Sequence, residues 1–237
     1  MSFYEVIQFK NYGFNFFAYP PLIVGVCIAL LGWSVAIREK FLGISLTFLL
    51  LTSCASFWLI SFFMVYSSVD AVTALFWAKV ANTAVIFIPS FFYFFALTAS
   101  RSLGQKSILA FLALLISEVF LISLWGGDHF LISVRKYFWG YYSVYRGASY
   151  PFLAFFMLLS LESFRIFWKC HRKYGKNTKR FKTFLIGFAV AYLASVDFFA
   201  AYGIPVYPIG YLPVLFFTGF MAWGIWRYRL VDITPSF

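Results

Sequence analysis

Charge is scarce in this sequence. Asp, Glu, Lys and Arg make up 11% of its 237 residues, against 63% hydrophobic residues. Soluble domains carry about a quarter charged residues, so water is excluded as the main solvent. Histidine is confined to His129 and His171, which fall in connections at opposite ends of the apolar runs, so a bis-histidine haem between helices has no ligands. The three cysteines, Cys27, Cys54 and Cys170, give no disulfide framework. Cys27 and Cys54 read as small buried packing residues, inert in apolar surroundings. The sequence has no metal-ligand spacing, phosphate-cradling glycine loop or nucleophile and base pair. It therefore gives no support for an enzyme, a metal or a cofactor. The last apolar run has no lysine midway, which disfavours a covalent retinal receptor. The first 19 residues lack the basic start and small-residue cleavage site of a removable signal peptide.

Long apolar runs are what the chain has in abundance. A hydrocarbon core of about 30 Å needs about 20 apolar residues in a helix. Seven runs approach that length, at 20–37, 41–66, 71–98, 107–125, 150–168, 181–202 and 208–228. They are continuous rather than alternating segments of about ten residues, so helices are expected rather than a barrel. Each helix satisfies its own backbone hydrogen bonds in lipid. The expected fold class is all-α: one polytopic domain over residues 1–237, a bundle of seven transmembrane helices. Pro89 and Pro213, inside the third and seventh runs, predict kinks.

Basic residues sort by connection. Fourteen fall on one side, at Arg38, Lys40, Arg101, Lys106, Arg165, Lys169, Arg172, Lys173, Lys176, Lys179, Arg180, Lys182, Arg227 and Arg229. The other side receives Lys10, Arg135, Lys136 and Arg146. Cytoplasmic loops retain Lys and Arg, so the N-terminus is expected outside and the C-terminus in the cytoplasm. The net charge of +11 is thus a topology signal rather than a nucleic-acid surface. Trp125, Trp139, Trp168 and Trp226 lie near predicted helix ends, where an aromatic belt favours the headgroup level. The loop at 169–182 is expected to anchor topology and to attract anionic lipid at about 1 kcal/mol per basic residue.

Between the fourth and fifth helices, residues 126–149 alternate apolar and polar positions around Phe130 to Arg135. A short outer hairpin and an irregular aromatic loop, carrying Trp139, Tyr141 and Tyr142, both fit that pattern. Within the spans, ionisable residues carry most weight, because an unpartnered charge near mid-bilayer costs at least about 3 kcal/mol. Lys79, Glu118 and Asp197 share a depth of roughly 8 to 12 Å below the outer surface at a rise of 1.5 Å per residue. Asn82 and Thr83 extend the polar face of Lys79. If these helices face one another, the three charges form a cluster, read either as a structural ion pair or as the floor of a ligand pocket. Glu162 is expected to pair locally with Arg165.

Several segments together resemble a family. Phe76, Trp77, Ala78 and Lys79, then Ile88 and Pro89, then Phe94 to Leu97 look like its tryptophan, alanine and basic step before a proline-bearing stretch. Trp139, Gly140, Tyr141 and Tyr142, followed by Gly147 and by Tyr150, Pro151 and Phe152, resemble its loop entering a span. Asp197, the stretch Gly203 to Gly210, and the exit at Arg227, Tyr228, Arg229, Leu230, Val231, Asp232 and Ile233 are similar to its last hairpin and signal exit. That family is the N-terminal seven-transmembrane sensor region of bacterial histidine kinases, also found ahead of diguanylate cyclases. The resemblance implies a sensory input module in the bacterial inner membrane that passes a stimulus through the last helix. Its implied partners are a cytoplasmic kinase or cyclase output domain and a second copy in a homodimer. A small transporter or channel using the buried charges, or a membrane scaffold, is the alternative.

Overall fold

The structure is a computed structural model that describes residues 8–41, 43–174 and 179–228. Its longer helices are α1 (Tyr19–Arg38), α2 (Gly43–Ser67), α3 (Ala71–Ala99), α4 (Ser107–Trp125), α5 (Ser149–Tyr174), α6 (Lys179–Ala191) and α7 (Tyr211–Tyr228). Strands β1 (Leu131–Tyr137) and β2 (Gly140–Tyr145) form an antiparallel hairpin between α4 and α5. Among the described residues, six helical stretches are long and apolar enough to cross a membrane: Phe16–Arg38, Gly43–Ser67, Ala71–Ala99, Gly104–Trp125, Ser149–Lys173 and Phe181–Ala201. The chain is a multi-pass membrane protein. Helix α7, with 18 residues and Arg227 in its last turn, packs against α6 and α1.

Local chemistry sets the helix ends. Pro20 and Pro21 open α1, where a missing N–H costs nothing. At α3 the Asp70 carboxylate accepts from the amides of Val72 and Thr73, both at 2.9 Å, and from the Thr73 hydroxyl at 2.7 Å. Pro89 stands inside α3. Beside it the Ser117 hydroxyl of α4 donates to the Ile86 carbonyl at 3.2 Å, and the Ser90 hydroxyl donates to Ala113 O at 3.0 Å. Hydroxyls of this kind satisfy backbone near a membrane proline. Pro213 falls in the first turn of α7 rather than mid-helix, so the expected kink there has no cause.

The sixth run departs most from expectation. It is not one regular helix: after α6 the backbone tightens into a 3-10 stretch, Tyr192–Asp197, then regains a helical turn, Phe198–Ala201. Gly203, at φ +92°, ends it, with Gly203 N–H bonded to Ala200 O and Ile204 N–H to Phe199 O. This is a left-handed helix stop that favours glycine.

The hairpin resolves the choice left open by the alternating pattern. Leu131 pairs with Tyr145, Arg135 with Tyr142 and Tyr137 with Gly140, with an irregularity between Leu131 and Ser133. A lone two-stranded pair is marginal in water, but this one packs an aromatic face onto the bundle. Phe130, Leu131, Trp139, Tyr141 and Tyr142 are buried there with Phe62, Tyr66 and Phe152. Trp139 is fully buried and stacks on Tyr137 with ring centroids 4.4 Å apart, so it is not a headgroup-level belt residue. Trp125 and Trp168 are about half exposed, as a belt requires. A second buried cluster, built on Phe48, Phe95, Phe167, Phe184 and Met221, fills the opposite, basic end. Cys27 is exposed on α1 rather than buried, and Cys54 is half-buried.

Candidate functional site

A cavity of about 330 Å³ lies in the hairpin half of the bundle, within the size range of small-molecule pockets. Its walls come from α2, α3, α5, α7 and the stretch from Phe188 to Tyr202, and Phe130, Tyr142 and Tyr145 of the hairpin region roof it. Along α3 it runs from Asn82 to Phe92, about 15 Å of helix. Phe92, Phe188 and Phe217 close the basic end, Phe92 and Phe188 stacking at 5.0 Å and Phe92 and Phe217 meeting edge-on at 5.8 Å. Polar groups gather under the hairpin. Asn82 is buried, donates to Ala78 O at 2.8 Å and accepts from the Tyr145 hydroxyl at 3.3 Å. Burial pushes the Tyr145 phenol up to about 12, against the lowering effect of its bond to Asn82. Tyr145 is therefore a neutral donor at any physiological pH.

Asp197 ends the 3-10 stretch and faces both the cavity and α7. Its carboxylate accepts from the Gly210 amide at 2.7 Å and from the Ile209 amide. Gly210 immediately precedes α7, so a negative charge sits at that helix's N-terminus, where the macrodipole stabilises it. The approach needs glycine: a Cβ on residue 210 would lie 2.6 Å from the Asp197 carboxyl carbon. Asp197 thereby ties the cavity wall to the residue just before the last helix.

The expected cluster of Lys79, Glu118 and Asp197 does not form. Lys79 donates to Gly127 O at 3.3 Å and lies 3.9 Å from Asp128, in the connection after α4. Glu118 is exposed, because α4 sits at the edge of the bundle and packs mainly on α3 through the opposite face, around Ala113 and Ser117. Of Lys79, Asn82, Glu118 and Asp197, only Asn82 and Asp197 line the cavity. Thr83 turns away from it and accepts from the Trp125 indole at 3.0 Å. Glu162 does meet Arg165, at 3.5 Å, and is held more closely by Lys106 at 2.6 Å.

Of Trp139, Tyr141 and Tyr142, the hairpin residues expected from the sequence, Tyr142 lines the cavity. Trp139 packs outside it, and the Tyr141 hydroxyl donates to Val69 O at 3.4 Å. The hairpin is fixed by contacts that sequence reading missed. The Asn15 amide donates to Tyr66 O and Trp139 O, both at 2.7 Å, while its Oδ1 accepts from the Phe17 amide. Tyr207 donates to Phe17 O at 2.8 Å, and Tyr137 to Ala200 O at 2.6 Å. Asparagine at the N-cap position before Phe16 was the available signal for Asn15. At the exit Arg227 is exposed and Tyr228 ends α7, whereas Arg229 and Asp232 lie outside the described residues. Part of the 169–182 loop lies outside them too.

No curated protein and no solved structure matches the chain. One family does, over residues 20–235, a span that runs from the first turn of α1 past the end of α7 and includes the hairpin. The chain belongs to that family, the N-terminal 7TM region of histidine kinase, which is a sensory input region rather than a catalytic one.

Proposed function

We propose that this chain is the input module of a bacterial inner-membrane signalling protein. It forms one seven-span domain with its N-terminus outside and its C-terminus in the cytoplasm. Fourteen basic residues against four favour that direction. The cavity under the hairpin receives the stimulus, and α7 relays it through Arg227, Tyr228, Arg229 and Asp232 to a cytoplasmic kinase or cyclase output domain. The observation that carries this reading is the Asp197 carboxylate, which is at once a wall of the cavity and the hydrogen-bond acceptor at the start of α7. A ligand that changes the bonding of Asp197 changes the support of α7, which is the differential contact a two-state relay requires.

Passage of a substrate across the membrane fits less well. Below the aromatic floor, the buried rings of Phe95, Phe167 and Phe184 fill the bundle. The test joins the chain to a histidine-kinase catalytic region and measures autophosphorylation in membrane vesicles. Asp197→Asn, and Ala55→Trp to fill the cavity, are each expected to change output several-fold. A folded fusion whose output is indifferent to both substitutions refutes the reading.

A further inference from the structure

We infer that the cavity takes a lipid-soluble amine, with its ammonium group at Asp197 and its hydrocarbon tail along α3 toward Phe92. This rests on the cavity's being the stimulus site, and it adds the chemical class of the ligand.

Charge selects the head. Among the described residues, Asp197 is the only acid in the cavity wall, and no Lys, Arg or His joins it. A carboxylate or phosphate head would meet a like charge with no cation to offset it, which disfavours fatty acids and phospholipids. A neutral alcohol donates a single hydrogen bond and leaves the carboxylate charge uncompensated. An ammonium group neutralises it and brings up to three donors. The carboxylate has room, since its bonds from the Gly210 and Ile209 amides occupy about two of four lone-pair sites. Trp58, Phe62 and Tyr142 share a small recess with Asp197, adjoining the main cavity. Aromatic rings grouped beside a carboxylate suit a cation, which their faces attract.

Shape and entry select the tail. Away from Asp197 the wall is largely apolar, with Leu51, Ala55, Ile88, Phe92 and Phe217, and only neutral polar groups such as Ser160, Tyr192 and Thr218 interrupt it. The cavity reaches the surface beside α5. Tyr150 (63% exposed), Tyr202 (64%) and Met157 line it yet stand at the surface between α5 and the segment that follows α6. The flank around that opening carries exposed Leu158, Leu161, Leu193 and Phe199, a surface suited to lipid tails. A molecule dissolved in the bilayer reaches Asp197 there without crossing the hairpin.

The test uses the full chain in lipid nanodiscs, with tritiated decylamine as the probe and empty nanodiscs to subtract partitioning. Saturable binding near one per chain is expected, with decanol at least tenfold weaker as a competitor and decanoate inactive. Asp197→Asn should weaken decylamine at least tenfold and leave decanol unchanged, and Ala55→Trp should remove binding of both. If Asp197→Asn does not fold, the competition series on the unaltered chain decides alone. Decanol or decanoate competing as well as decylamine, or no saturable decylamine binding, overturns the amine. Decylamine binding that survives Ala55→Trp places the site elsewhere and also overturns it. The input-module reading is judged separately, by the kinase output of the Ala55→Trp fusion, which needs no added ligand.

Discussion

Replacing Asp197 with alanine removes the acceptor for the Gly210 amide, which is bonded at 2.7 Å in a part-buried position. An orphaned buried donor costs about 1 to 3 kcal/mol, and the loss of a charge at a helix N-terminus adds in the same direction. Local opening at Gly210 should then become roughly 5- to 150-fold more frequent, at about 1.4 kcal/mol per factor of ten. Hydrogen exchange measures this directly. Pro205, Pro208 and Pro213 carry no amide, so a peptide covering 203–213 reports on at most eight positions, Gly210 among them. Asp197→Asn keeps a carbonyl acceptor and should retain much of the protection, which separates the hydrogen bond from the charge. If Asp197→Ala exchanges at the unaltered rate in that peptide, the carboxylate does not support α7 and the proposed relay has no physical basis.

Asn15→Ala removes two hydrogen bonds that join the hairpin turn to the end of α2, so proteolysis or exchange at 138–141 should rise about tenfold or more; an unchanged rate would mean that aromatic packing alone holds the hairpin. Asp70→Ala should destabilise the start of α3 by about 1 kcal/mol, read as faster exchange over 71–74. Slight burial raises the Asp70 carboxyl, but bonds from the Thr73 amide, the Thr73 hydroxyl and the Val72 amide outweigh it and hold the group below the usual range. Its contribution is therefore present above the unfolded value near 3.9 and lost as pH falls through the lower folded value, so the gap between Asp70→Ala and the unaltered chain should close only in strong acid. Glu118→Leu should leave both the fold and the cavity intact, because the side chain is exposed on α4; loss of folding on that change would show that Glu118 has a structural partner.

Residues in the sequence located the helices well, because 20-residue apolar runs report the solvent directly. The first, third and fourth runs match α1, α3 and α4 to within a residue or so. They say far less about which way a helix faces. In a soluble helix one stripe is apolar and the other polar, whereas here the outside of α4 is as apolar as the inside, so Glu118 could be assigned a depth but not a direction. Depth alone grouped Lys79, Glu118 and Asp197. The structure separates them because Lys79 finds Asp128 beyond α4, and because the 3-10 stretch turns Asp197 toward Gly210. Trp139 misled for a related reason: tryptophan near a helix end suggests the headgroup level, but here a hairpin carries it inward. Asn82 was legible as part of a polar face on α3, though the partner it meets is Tyr145 of the hairpin rather than a charge.

The most direct test of the central claim is whether α7 moves when its tie to the cavity is cut. Spin labels at residues 37 and 227, both exposed near the basic ends of α1 and α7, report that distance by pulsed electron resonance once Cys27, Cys54 and Cys170 are replaced. Coupling predicts that Asp197→Ala shifts the distance distribution by about 1 to 2 Å, the scale of helix shifts in switching proteins. An unchanged distribution, in a chain whose Gly210 amide has lost its protection, would contradict the account.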